Sequence, residues 1–272
     1  MTPPGSPVPR ARPGPPLPPA PHGLLRDRTV VITAAAGTGI GGATARRCLE
    51  EGARVVVSDA HERRLASVRA ELAAAHGEDR VAALPCDVTS EEQVQALYAL
   101  AVERYGRVDV AVNNAGLGGT AELADMTDDQ WSRVLDVTLT GTMRCTRAAL
   151  RIMRGQDGGG AIVNNASVVG WRAQRGQSHY AAAKAGVMAL TRCAALEAAE
   201  HGVRINAVAP SLAMHPHLVT VTSQEVLDEL TAREAFGRYA EPWEVANVVV
   251  FLASDYSSYM TGEVVSVSSQ HP

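Results

Sequence analysis

Short runs of β-branched residues recur along this chain from Arg28 onward, each followed by a longer alanine-rich stretch whose apolar residues repeat at helical spacing. That alternation constrains the fold most strongly, because a strand, a crossover helix and a second parallel strand form a right-handed βαβ unit. Strands are expected at 29–33, 54–58, 81–85, 108–113, 160–165, 204–209 and 263–267. Most are continuous apolar runs, as strands covered by helices on both faces should be. The expected fold class is therefore α/β: a doubly wound, Rossmann-type single domain around a seven-stranded parallel sheet.

Helices are expected at 41–51, 62–76, 91–105, 127–154, 178–201 and 241–254, with Asp128 and Ser90 as N-caps and Pro242 in a first turn. Residues 211–236 fit neither period. An insertion after the sixth strand lies at the carboxyl ends of the strands, so this segment is expected to be a substrate lid with a helix near 223–233. Residues 1–22, dense in proline and without an apolar core, are expected to be a disordered tail, or a rigid polyproline ligand. The catalytic domain then spans 23–272.

A net charge of -4 offers no broad basic surface, so nucleic acid is not expected as a partner. No apolar run approaches the roughly 20 residues that span a bilayer, so no membrane association is expected either. Cys48, Cys86, Cys145 and Cys193 are far apart and form no CxxC pair, which points to reduced thiols in a cytoplasmic protein without a zinc site. His215 and His217 flank Pro216 but have no cysteine or acidic companions, so no metal is expected.

The first strand runs into Thr33-Ala34-Ala35-Ala36-Gly37-Thr38-Gly39-Ile40-Gly41-Gly42. Glycines between a strand and a helix let the chain turn tightly and bring backbone N–H groups against a pyrophosphate, which selects Gly37, Thr38, Gly39 and Ile40 as cofactor contacts. Asp59 closes the second strand about twenty residues later, where a carboxylate can accept both ribose hydroxyls of NAD and repel the 2′-phosphate of NADP. NAD is thus the expected cofactor; Arg63 and Arg64 nearby keep NADP as the alternative. Asp87 after the third strand suits either the adenine amino group or a helix cap. Asn113-Asn114-Ala115-Gly116 after the fourth places small residues and amides near the adenosine half.

Ser167 ends the fifth strand; after twelve intervening residues come Tyr180, three alanines and Lys184, and Tyr180 and Lys184 share one helical face. With the cofactor elements, these residues resemble the short-chain dehydrogenase/reductase family over about Leu24 to Gln270. Within it the chain is similar to 3-oxoacyl carrier-protein reductases and to actinobacterial dehydrogenases of steroid-ring degradation. The resemblance implies a hydride transfer between NAD(H) and a secondary alcohol or ketone, such as a hydroxyacyl thioester or a steroid-derived cyclic ketone. Tyr180 would exchange the proton, Ser167 would hydrogen-bond the substrate oxygen, and Lys184 would hold the ribose and lower the phenol's pKa, ordinarily about 10. Val88, Asn114, Ala115, Gly116, Pro210 and Ala213 would join Tyr180 and Lys184 in contacting the cofactor. The family also implies a homotetramer, through the helices at 127–154 and 178–201 with Ala181, Ala182, Ala185, Ala189 and Ala194.

Three departures stand out. Thr138 occupies the position of the family's usual asparagine, whose water serves a proton relay, so it is a candidate catalytic participant. Ser211 replaces a usual glycine, and His215 a threonine. The glycine loop is one residue longer, with Ala34 or Ala35 where a glycine is usual. The alternatives are an NADPH-dependent 3-oxoacyl carrier-protein or polyketide-type ketoreductase, and a catalytically idle dinucleotide-binding subunit.

Overall fold

The computed structural model describes residues 14–214 and 224–270. Seven strands form one parallel sheet in the order β3-β2-β1-β4-β5-β6-β7. They are β1 (Thr29–Ile32), β2 (Arg54–Asp59), β3 (Val81–Pro85), β4 (Val110–Asn113), β5 (Gly160–Asn165), β6 (Val203–Pro210) and β7 (Val264–Val267). The expected doubly wound fold is what the chain adopts. Side chains alternate across the sheet with period two: Val30, Ile32, Val55 and Val57 enter one core, and Val31 and Val56 the other. Helices α1 (Ile40–Glu50), α2 (Glu62–His76) and a late helix, Pro242–Ala253, cover the first face. Helices α3 (Glu91–Tyr105), α5 (Gly141–Met153) and α6 (Ser178–Ala199) cover the second.

Local chemistry explains the ends of these elements. Ser90 caps α3 by accepting from Gln93 N, and Pro242 stands in the first turn of the last helix. At α4 (Asp128–Leu135), however, the cap is Thr127, not Asp128: its hydroxyl accepts from Gln130 N while the Gln130 side chain accepts from Thr127 N. The expected helix over 127–154 is also interrupted. One π turn, Asp136–Thr140, separates α4 from α5, and the glycine after it is needed, because a Cβ on Gly141 would stand 2.6 Å from Val88 Cγ2. On α6, Ala182, Ala185 and Ala189 are exposed and Ala181 is half-buried, but Ala194 faces the core.

The segment expected to be a lid contains α7 (Gln224–Ala232), which makes the Pro242–Ala253 helix α8. His215 and His217 lie outside the described residues. At the other end of the chain, the Pro19 and Ala20 carbonyls accept from Arg47 and the His22 N–H donates to Glu51. Contacts with the domain therefore begin within the stretch expected to be disordered. Among the described residues no helix is long and apolar enough to cross a membrane.

Candidate active site

The order β3-β2-β1-β4 reverses direction between β1 and β4, and such a reversal opens a crevice at the carboxyl ends of the strands. The glycine loop lies on this crevice. A Cβ on Gly41 would fall 2.3 Å from Ala34 O and 2.5 Å from Asn114 Nδ2, and one on Gly42 only 1.8 Å from Gly37 O. These two glycines, which sequence reasoning left out of the site, are what let the loop fold back onto the start of α1. Gly39 is the N-cap of that helix, with no side-chain cap and no acidic residue in the first turn. An uncapped, glycine-lined helix start suits a pyrophosphate.

The departure in the loop has a visible cost. Ala34 adopts φ +52°, the left-handed region that favours glycine. Asn114 steadies the turn: its amide donates to Thr33 O (3.3 Å) and Ala34 O (3.1 Å), and its Oδ1 accepts from Asn165 Nδ2 (2.9 Å). The N–H groups of Asn114 and Ala115 both donate to the Thr33 hydroxyl.

Asp59 sits beside this loop, accepting from Ala36 N (3.3 Å) and His61 N (2.9 Å), with Arg64 Nη2 3.6 Å from Oδ1. A carboxylate held by two backbone donors at the loop's edge is an acceptor of the kind ribose hydroxyls need. Asp87 is exposed and closes a local turn with Thr89 N and Oγ1. Val88 is buried against Gly141, Pro210 ends β6, and Ala213 bridges to Ala240. The residues around the crevice thus fit a nicotinamide dinucleotide.

Ser167, Tyr180 and Lys184 converge at the other side. Lys184 is the only lysine in the chain; every other basic residue of the 25 lysines and arginines is arginine. It is 2 % exposed, its Nζ donates to Asn165 O at 2.5 Å, and it lies 5.5 Å from the centroid of the Tyr180 ring. Burial lowers its pKa to about 8. An arginine could not respond in this way, so a lone lysine in an arginine-rich chain was a signal open to the sequence. Burial raises the half-buried Tyr180 to about 12, opposed by a hydrogen bond with Ser167. That direction is opposite to the lowering expected from Lys184, and it holds the phenol in its proton-donating form.

The loop after β4 completes the wall. A Cβ on Gly116 would lie 3.4 Å from Lys184 Nζ and 3.8 Å from Thr138 Oγ1, and one on Gly118 would meet Tyr180 Cδ2 at 3.9 Å. Thr138 is fully buried in the π turn; its hydroxyl donates to Leu117 O (3.0 Å) and accepts from Leu117 N (2.9 Å). Its one proton is engaged, so it acts here by tying the helical break to the loop that passes Lys184. His179, beside Tyr180, is also buried, and a Cβ on Gly119 would lie 3.2 Å from its Nε2.

A family model described as enoyl-(acyl carrier protein) reductase matches residues 34–269. The chain is 67% identical over 251 residues to a (5R,7aS)-5-hydroxy-7a-methyl-1-oxo-2,3,5,6,7,7a-hexahydro-1H-indene-carboxyl-CoA reductase of Mycobacterium tuberculosis, covering 92% of this chain and 95% of that one. It is 38% identical to a 3-oxoacyl-acyl-carrier-protein reductase of Thermotoga maritima, over 89% of this chain and 97% of that one. The crystal structure of a short chain dehydrogenase from Mycobacterium smegmatis superposes with a TM-score of 0.84 at 62% identity, covering 94% of this chain and 98% of that one.

Proposed function

This chain belongs to the short-chain dehydrogenase/reductase family, oxidoreductases that interconvert hydroxyl and keto groups, and from that premise we propose that it uses NAD(H) on a fused-ring carboxyl-CoA thioester. The observation that carries the chemistry is the meeting of Ser167 and Tyr180 with the chain's one lysine, buried at Lys184. The kinship with the mycobacterial indene-carboxyl-CoA reductase supports the substrate class.

Gly37, Thr38, Gly39 and Ile40 would hold the pyrophosphate, Asp59 the adenosine ribose, and Asp87 and Val88 the adenine side. Asn114, Ala115 and Gly116 would lie near the adenosine half, Pro210 and Ala213 would line the path to the nicotinamide, and Tyr180 and Lys184 would hold its ribose. When bound, the dinucleotide supplies or accepts the hydride. Ser167 hydrogen-bonds the substrate oxygen and fixes it beside Tyr180. At neutral pH a phenol raised to about 12 keeps its proton and gives it to an oxygen gaining negative charge. In the oxidative direction Tyr180 must first lose that proton, and the Lys184 ammonium favours the loss. Thr138 supports the proton path by setting the loop that packs on Lys184.

Nicotinamide fluorescence titrations with NADH and NADPH test this. NADH binds more tightly than NADPH to the wild type, Asp59→Ala weakens NADH, and Tyr180→Phe binds NADH normally but loses about 10²–10⁴-fold in turnover. If the wild type prefers NADPH, with Arg64 as its phosphate contact, the NAD assignment falls and the NADPH-dependent ketoreductase replaces it. Equal turnover by Tyr180→Phe and wild type would remove Tyr180 from the chemistry.

A further inference from the structure

Glu234 takes no part in that mechanism, yet it is a carboxylate only 3 % exposed and, among the described residues, without a cationic partner within ion-pair distance. A carboxylate so deep is costly unless donors occupy its lone pairs. Here four do. Leu212 N (3.4 Å) and Gln270 Nε2 (2.8 Å) donate to Oε1, and Ser269 N (3.3 Å) and Ser269 Oγ (2.7 Å) to Oε2.

Those donors come from two different segments: the exit from β6 and the stretch after β7. Glu234 itself stands just beyond α7, in the second half of the lid, and a backbone bond from Ala235 N to Ser269 O (3.1 Å) runs beside it. Gln270 carries the tie further, because its Oε1 accepts from Arg172 Nη1 (2.5 Å) and its backbone O from Arg172 Nη2 (3.4 Å). Arg172 belongs to the turn that begins at Ser167, where its N–H donates to Val168 O (2.9 Å). A continuous chain of hydrogen bonds therefore links the Ser167 turn to the lid through the C-terminal stretch. The lid is fixed at its far edge as well, by Ala240 N to Leu212 O (2.8 Å) and by the Arg238–Glu244 pair.

We propose that Glu234 is a positioning residue: with Gln270 and Arg172 it clasps the lid to the Ser167 turn and so sets the dimensions of the substrate side of the site. This rests on the assignment of Ser167 and the lid to the substrate; the glycine loop lies across the crevice, and the clasp meets the cofactor side only at Leu212, between Pro210 and Ala213. Replacing one partner by a charge is a sharper test than deleting it. Gln270→Glu sets a second carboxylate against Glu234 Oε1 where the amide now donates. In the exchanged pair, Glu234→Gln with Gln270→Glu, the carboxylate at 270 faces Arg172 and the amide at 234 donates to it, at the expense only of the 3.4 Å bond from Leu212 N.

Steady-state kinetics with whichever ketone the wild type reduces, together with hydrogen exchange, decide the matter. Gln270→Glu raises KM about tenfold or more, with a smaller change in kcat and a Kd for NADH altered by less than about threefold, and the exchanged pair recovers KM to within about threefold of wild type. Amide exchange over 224–240 quickens in Gln270→Glu and slows again in the exchanged pair, whereas exchange over the glycine loop stays constant. An unaltered KM in Gln270→Glu, an exchanged pair no better than the single variant, or a parallel loss of NADH binding each overturns the proposal. If the wild type binds NADH but reduces no ketone, the function proposed above fails; the exchange data still judge the clasp, and equal exchange in wild type and Gln270→Glu overturns it.

Discussion

Charges are buried at both ends of the sheet, and the two ends treat them differently. At the amino ends of the strands, Asp109 accepts from Thr29 N (2.8 Å) and Arg107 Nε (2.8 Å) and lies 3.5 Å from Arg28 Nη1. Glu51, at the end of α1, is fully buried and meets Arg47 at 2.6 Å and the N–H groups of His22 and Leu24, each at 2.9 Å. At the carboxyl ends, Lys184 has a carbonyl but no carboxylate within ion-pair distance among the described residues, and Glu234 has donors but no cation. Opposite charges compensate where the chain only needs to hold together. Glu234 relies on hydrogen bonds alone and Asp59 at the crevice keeps Arg64 at 3.6 Å, whereas Lys184, buried and without a carboxylate beside it among the described residues, is a charge whose proton can be moved.

Breaking the compensated end gives the largest effect on stability. Burial alone would raise the pKa of Glu51, but the N–H groups of Leu24 and His22 and the Arg47 charge outweigh it, and the net shift is downward. Its contribution is therefore present above the ordinary carboxylate range and is lost as pH falls through the depressed value. Glu51→Ala leaves Arg47 buried without its main partner and lowers unfolding free energy at pH 7 by about 3–5 kcal/mol, measured by urea denaturation. A loss below about 1 kcal/mol would show that the pair is not the anchor described here.

The uncompensated end responds in the opposite sense. Lys184 titrates near 8 when folded and near 10.5 when unfolded. Between those values the unfolded chain binds more protons, so stability rises with pH across the window. The penalty below it is roughly 3 kcal/mol, and the bond to Asn165 O returns about 1 kcal/mol. Lys184→Met is therefore more stable than wild type by about 2 kcal/mol at pH 7, and the difference falls to zero at about pH 10 and reverses above it, where the amine keeps its bond to Asn165 O. Because the chain has a single lysine, 13C-labelled lysine gives one side-chain signal, and its midpoint near 8 checks the same shift directly. A midpoint at the ordinary lysine value would mean that the ammonium is solvated and the contrast between the two ends is false.

The sheet was legible because period-two alternation and continuous apolar runs are local, and α2 and α3 begin and end where their patterns do. Ser167, Tyr180 and Lys184 were legible because their spacing along one chain is itself the signal. The π turn at Asp136–Thr140 was not, since an extra residue in a helical turn leaves no mark on composition and only Gly141 hints at it. Thr127 was legible too: Thr-Asp-Asp-Gln has the capping-box spacing, although Asp128 inside it is itself a residue type common at N-caps. Glu234, Gln270 and Arg172 carried no sequence signal at all. Their bonds join residues 98 and 36 positions apart, and only the folded sheet brings those segments to one end.

The smallest effect tests how much strain the carboxyl ends carry beside the amino ends, where Asp27 stands at φ +61° just before β1. Ala34 sits at φ +52° directly after β1, pinned by Asn114 from one side and by the Gly41 backbone approach from the other. An alanine there costs about 1–2 kcal/mol of backbone strain, whereas a glycine would relieve it and lose about 0.5–1 kcal/mol through its freer unfolded chain. Ala34→Gly therefore stabilises by at most about 1.5 kcal/mol, read as a small rise in thermal midpoint. A clear fall would mean that the methyl group makes contacts worth more than the strain. The alanine would then be a packing residue of the loop, and the carboxyl ends would differ from the amino ends in their charges alone.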